Sequence, residues 1–76
     1  MSLKSPKTVG EKLRQLRLLN NYLQKDVASS IGISRVLLNY YECDKRTPTT
    51  KSIKLLADFY KVDTKELTTL IIKKGV

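Results

Sequence analysis

The sequence predicts an all-α domain of five short helices, and three observations carry that prediction. Apolar residues recur three and four positions apart along most of the chain, the spacing of one helical face. No run alternates strictly or is dominated by β-branched residues, as a half-buried strand would require. Glycine and proline are scarce, and Gly32 and Pro48 stand where periodic segments end or begin. With 76 residues, one hydrophobic core and one domain are expected. Apolar residues make up 41% of the chain, enough for a compact core and too many for a disordered segment.

The elements follow in order. Residues 1–7 read as a basic N-terminal arm in which Lys4 and Lys7 flank Ser5-Pro6. Thr8 suits an N-cap, and Glu11 lies three residues on, the spacing of a capping box. Val9, Leu13 and Leu16 then recur at helical spacing, so the first helix runs to about Asn20, where Asn20-Asn21 breaks it. The second helix spans roughly Gln24 to Ile31, stopped by Gly32, which adopts left-handed backbone without a Cβ penalty. Ser34 caps the third helix, which runs to about Glu42. "CDKRTPT" is a polar loop, and Pro48 followed by Thr49 or Thr50 opens the fourth helix, with Ile53, Leu56, Ala57 and Tyr60 on its apolar face. After the turn Lys61-Val62-Asp63, Asp63 caps the fifth helix, Glu66 follows three residues on, and Leu67, Leu70 and Ile71 form a stripe. The folded domain is expected over residues 8–73, with 74–76 a short tail.

Charge narrows the function. Fifteen lysines and arginines face seven carboxylates, for a net charge of +8, which predicts a polyanionic partner: nucleic acid or an anionic membrane surface. The longest apolar runs, such as Leu70-Ile71-Ile72, are too short to cross a bilayer. The basic residues are dispersed among short capped helices, which argues against membrane-surface binding, so no membrane partner is expected. No apolar stretch follows the N-terminal lysines, so no signal peptide is expected. Cys43 is alone, which excludes an intramolecular disulfide and fits a reducing, cytoplasmic location. Histidine is absent, removing the usual general base and the commonest metal ligand. One cysteine, scattered carboxylates and isolated glycines form no recognisable metal site, acid–base pair or phosphate loop. Neither an enzyme nor a cofactor, metal or small-molecule substrate is expected.

The segment "QKDVASSIGISRVLLNYYE" meets the demands of two helices joined by a short glycine turn. Ala28 is small where the next helix must cross closely, and Val27, Ile31, Ile33, Leu38 and Tyr41 can fill the angle between them. Leu37 lies at the edge of that inward face. Successive residues advance by about 100° around a helix. With Leu38 and Tyr41 inward, Val36, Asn39 and Tyr40 point outward, and Arg35 lies on the flank at the N-terminal end. A recognition helix touches base edges from such positions. Arg35 can donate to O6 and N7 of guanine, Asn39 can pair with N6 and N7 of adenine, and Val36 suits a thymine methyl. Tyr40 either stacks on sugar or bonds a phosphate. Gln24, at the start of the second helix, can offer its amide and its backbone N–H to a phosphate.

Together with "VGEKLRQLR", "DKRTPT" and "KLLADFYKVDTKEL", this segment resembles the Xre-type helix-turn-helix domain of Cro and phage repressors, from about Val9 to Leu67. Gln24, Ala28, Gly32, Ser34, Glu42, Lys45 and Pro48 all fall in register. The resemblance implies a phage repressor-like fold and a sequence-specific regulator of transcription, a repressor, that reads the major groove of double-stranded DNA with Ser34–Glu42. It implies the same base-contacting residues, Arg35, Val36, Asn39 and Tyr40. It gives Gln24 a phosphate contact and the task of bracing the first base-reading residue. Asp44, Lys45 and Arg46 resemble a second backbone clamp, with Lys45 and Arg46 as charge donors. Ser34, and Thr49 or Thr50, either cap their helices or touch phosphate as well. Arg17 and Glu42 match a partly buried bracing pair.

One reading helix covers few base pairs, and proteins of this class meet that limit by dimerising on half-sites about 34 Å apart. A homodimer on a two-fold symmetric operator is expected, with Val62, Leu67, Leu70, Ile71 and Ile72 as its surface; the alternative is core packing of the last helix. Any regulatory domain is expected to lie outside the chain. Leu23 stands where the family has Ser or Thr, which removes a cap, while Asn21 and Asp44 replace glycines and tolerate left-handed backbone. Leu18 and Leu19 occupy positions normally charged, as a harmless variation or as an apolar patch for a partner. The competing function is a protein-interaction module on this scaffold, such as an antitoxin or anti-repressor subunit.

Overall fold

The computed structural model describes residues 5–73, except the side chains of 72 and 73, and contains no strand among them. Its helices are α1 (Val9–Leu19), α2 (Gln24–Ile31), α3 (Arg35–Glu42), α4 (Thr50–Tyr60) and α5 (Lys65–Lys73). The all-α prediction holds, and the expected boundaries agree within a residue or two. The remainder of the arm and the tail at 74–76 lie outside the described residues.

Most helix starts are closed by a side-chain oxygen. Thr8 Oγ1 accepts from the Glu11 amide at 3.1 Å, and Ser34 Oγ from the Leu37 amide at 3.0 Å. Thr49 Oγ1 accepts from the Ser52 amide at 3.1 Å, and Asp63 Oδ1 from the Lys65 amide at 2.9 Å. Each such cap contributes about 1 kcal/mol by pairing an amide that has no intrahelical partner. The α1 box closes differently from the expected one. Glu11 Oε1 accepts from the Lys7 amide at 2.8 Å, one residue upstream of the cap, and so pins the end of the arm. α2 starts at Leu23 with no side-chain cap, as the replacement there implies.

Helix ends repeat one device. After α2, Gly32 has φ 79°, its amide bonds the Ser29 carbonyl, and the Ile33 amide bonds the Ala28 carbonyl. This is the paired 5→2 and 6→1 pattern that ties off the last carbonyls of a helix. The same pattern follows α1 at Asn21 (φ 58°), α3 at Asp44 (φ 60°) and α4 at Lys61 (φ 58°). Asn and Asp visit left-handed backbone readily; Lys61 does so with no local side-chain compensation of that kind.

The buried core draws Val9, Leu13 and Leu16 from α1, Val27, Ala28 and Ile31 from α2, and Leu38 and Tyr41 from α3. Ile53, Leu56, Ala57 and Tyr60 of α4 and Leu67 of α5 complete it. α3 packs on α1 and α2, α4 covers α2, and α5 closes over α1 and α4. Tyr22 holds the α1–α2 connection to α4, its ring centroid 5.3 Å from that of Phe59. Two expectations change. Pro48, in the loop read as polar, is buried. Leu67, a candidate for the dimer surface, is 0% exposed: its stripe turns into the core, so it has no surface to offer a second copy. The Ile72 side chain lies outside the described residues.

The N-terminal turn of α1 lies against the C-terminal end of α3. A Cβ at Gly10 would stand 2.6 Å from the Tyr41 carbonyl oxygen, 2.7 Å from that of Glu42 and 2.7 Å from Asp44 Oδ1. Asp44 seals the junction: Gly10 N–H donates to its Oδ1 at 3.0 Å and the Thr8 hydroxyl to its Oδ2 at 2.6 Å. A carboxylate at a helix N-terminus also meets the positive end of the helix dipole. Gly10→Ala is expected to destabilise the domain at the upper end of the ~1–3 kcal/mol range for overpacking, because backbone carbonyls cannot swing aside as a side chain can. Urea unfolding measures this, and an unchanged midpoint would contradict the close approach.

Candidate nucleic-acid interface

α2 and α3 meet across the Gly32-Ile33-Ser34 turn, with Ala28 only 2% exposed where the two helices cross. Leu38 and Tyr41 face the core, Ile33 and Leu37 are half-buried, and helical geometry then sends the opposite side of α3 outward. Arg35, Val36, Asn39 and Tyr40 are all exposed there. Val36 leaves 58% of its surface in solvent and Tyr40 38%, unusual for apolar residues that merely pad a core. The structure therefore brings the four expected base-facing residues onto one open face.

The opposite end of α3 is tied down by charge. Arg17 grips Glu42 with two parallel bonds, Nε to Oε2 at 2.8 Å and Nη2 to Oε1 at 3.1 Å. A third donor of Arg17, Nη1, reaches the Tyr22 carbonyl at 3.1 Å. The side chain of Glu42 is 2% exposed and that of Arg17 12%, so the pair is held largely out of water. Gln24 joins them: its Nε2 donates to Glu42 Oε1 at 3.0 Å and to Asn39 Oδ1 at 3.1 Å. Glu42 thus receives donors from α1 and from the first residue of α2. Its charge also reaches Tyr60, whose phenol is pushed above its ordinary pKa first by burial and then by that carboxylate.

Here the expectation for Gln24 is corrected. It braces Asn39, in the second turn of α3, and not Arg35 at the start. Asn39 and Glu42 lie three residues apart on one side of the helix, and the Gln24 amide bridges them. Cys43 adds a further contact to the same atom, with Sγ 3.8 Å from Asn39 Oδ1. Sequence reading missed both links, although the spacing of Asn39, Glu42 and Cys43 could have suggested a shared side.

The expected phosphate-facing residues divide. Lys45 and Arg46 are exposed just past α3, and neither they nor Arg35 carry an ion pair among the described residues. Asp44, the third member of that loop, is exposed as well, but its carboxylate is bonded to Thr8 and to Gly10 of α1. Ser34 is exposed, with its hydroxyl accepting from Leu37. Thr49 is exposed too, but its hydroxyl also donates to Ser52 Oγ at 3.2 Å, and Ser52 in turn meets the Tyr41 hydroxyl at 3.1 Å. Gln24 is half-buried and shared between Asn39 and Glu42.

A sequence model described as helix-turn-helix matches residues 13–67, which covers the bracing pair, the turn and the exposed face. The chain belongs to the Xre-like helix-turn-helix family. It is also similar to the HTH-type transcriptional activator BcrR of Enterococcus faecalis, with 35% identity over 57 residues. That match takes in 75% of this chain and 28% of the relative, so the chain spans little more than a quarter of that protein's length. No helix among the described residues is long and apolar enough to cross a membrane.

The brace makes a stability prediction for this helix-turn-helix chain. Glu42→Ala strands the Arg17 guanidinium in a poorly solvated site, and a loss of about 3 kcal/mol or more is expected. Chemical denaturation measures it; a loss below about 1 kcal/mol would mean that the pair behaves like a surface ion pair.

Proposed function

We propose that this chain is a sequence-specific double-stranded DNA-binding regulator of transcription that reads the major groove with α3. The observation that carries the reading is the exposed face of Arg35, Val36, Asn39 and Tyr40 on a helix whose other side is buried and braced. A helix that could roll would blur base contacts; this one is held by core packing along Leu38 and Tyr41 and by Glu42 at its end. Arg35 serves as a guanine reader, Val36 meets a thymine methyl, and Tyr40 contacts sugar or phosphate. Lys45 and Arg46 clamp the backbone beyond the end of α3. Gln24, Ser34 and Thr49 approach phosphate more weakly, because their side chains already serve internal bonds.

A homodimer on a two-fold symmetric operator supplies the specificity that one short helix lacks. Its surface is proposed on Val62, Leu70 and Ile71, which pack at the margin of the core and keep part of their area open. A repressor acting in the cytoplasm is the output proposed, since a bound dimer excludes other proteins from its site without any further surface. The relative named above is a transcriptional activator over a much longer chain, and its output is its own. A second reading, a protein-interaction module, draws support from Leu18, Leu19 and Leu23, which are 55%, 58% and 57% exposed.

Selection from a random duplex pool, repeated across salt concentrations, tests the first reading. A two-fold symmetric site is expected, with affinity falling steeply as salt rises. Arg35→Ala is expected to relax one base position in each half-site, at about 1–3 kcal/mol. Lys45→Ala should weaken all sites alike and lower the salt slope by about one. Failure to enrich any duplex at low salt, with the chain folded, would sink this reading and leave the interaction module.

A further inference from the structure

Asn39 carries a carbonyl and an NH2 group, and the two ends are not equally free. Its Oδ1 accepts from Gln24 Nε2 at 3.1 Å and lies 3.8 Å from the Cys43 thiol, a weak donor. A carbonyl oxygen has two lone pairs, and each has a donor here. The Nδ2 end has no partner among the described residues, and the side chain is exposed.

The polarity of this amide is set from a distance. Arg17 holds the Glu42 carboxylate with two bonds, so Glu42 Oε1 is an ionised acceptor at a fixed place. Gln24 meets that oxygen at 3.0 Å and must turn its NH2 toward it, since a carbonyl there would face a buried negative charge. The second proton of the same NH2 points at Asn39, which answers with its oxygen. Orientation passes from Arg17 through Glu42 and Gln24 to Asn39. Turning Asn39 over would set two NH2 groups against each other.

Pairing with adenine, the expectation from sequence, needs both ends of the amide: Oδ1 accepting from N6 and Nδ2 donating to N7. Guanine presents two acceptors, O6 and N7, and asks for donors alone. We propose that Asn39 works as a donor-only reader that selects guanine over adenine, its orientation held by Gln24 and Cys43 against the Arg17–Glu42 pair. This rests on the DNA-reading proposal above. Gln24 is on this view a positioning residue, acting on the base through Asn39.

The test is duplex selection with three chains: the native one, Asn39→Ala and Gln24→Met. Asn39→Ala identifies the base position that depends on Asn39. At that position the native chain is expected to select a G·C pair over A·T by about tenfold in affinity. Gln24→Met keeps the Arg17–Glu42 pair and removes the donor; overall affinity falls with the loss of its phosphate approach, and the base preference should drop to near parity at that position alone. An A·T pair in the native site, no position relaxed by Asn39→Ala, or unchanged discrimination in a folded Gln24→Met overturns the proposal. A DNA-free measurement stands beside these: the Gln24 side-chain amide protons of the native chain should exchange with solvent several-fold more slowly than those of Asn39. Equal rates overturn the relay whether or not the variant folds. Failure of the native chain to enrich any duplex, by contrast, overturns the DNA reading itself and this inference with it.

Discussion

The buried contact between Arg17 and Glu42 is the constraint around which this domain is arranged. An ionised carboxylate removed from water is tolerable only when its oxygens are met by donors at good geometry. Glu42 gets two from Arg17 and one from Gln24, and a third Arg17 donor goes to the Tyr22 carbonyl. Those four residues come from α1, the α1–α2 connection, the start of α2 and the end of α3. A hydrocarbon pair of similar volume could supply comparable stability, but it would not fix angles; directed bonds to a charge do. The pair thus ties the end of α3 to α1 and to the start of α2.

The same economy of space governs the turns. Four helices end in one hydrogen-bonding pattern around a left-handed residue, which lets short connections reverse the chain without leaving carbonyls unpaired. At the α1–α3 junction the backbone approach leaves no room for a methyl group at Gly10. Asp44 serves both devices: its backbone takes the left-handed conformation after α3, and its side chain caps α1. That dual service explains why the carboxylate of Asp44, unlike the side chains of its exposed neighbours Lys45 and Arg46, is committed to bonds within the domain.

For function, rigidity and polarity are joined. The exposed face of α3 is carried by a helix shorter than an isolated helix could sustain, so its shape comes from tertiary packing. The brace that holds the helix also contacts one of its outward residues, Asn39. The buried brace and the exposed face of α3 are therefore continuous through Gln24.

Much of the architecture was legible in the residues. Periodicity located all five helices, Thr8, Ser34 and Asp63 marked their starts, and Gly32 marked the turn. These are consequences of local geometry: a helix repeats every few residues, and a cap reaches only into its own first turn. The outward side of α3 followed from the same repeat, because placing Leu38 and Tyr41 in the core turns Val36, Asn39 and Tyr40 to the other side. Tertiary structure decided the matters that depend on distances between elements. It sent Gln24 to Asn39 and not to Arg35, bonded Asp44 to the start of α1, buried Leu67, and let Glu11 reach Lys7. A polar side chain has several partners within reach along the sequence, and which one it meets is known only when the helices have packed and the nearest unpaired donor or acceptor is in place.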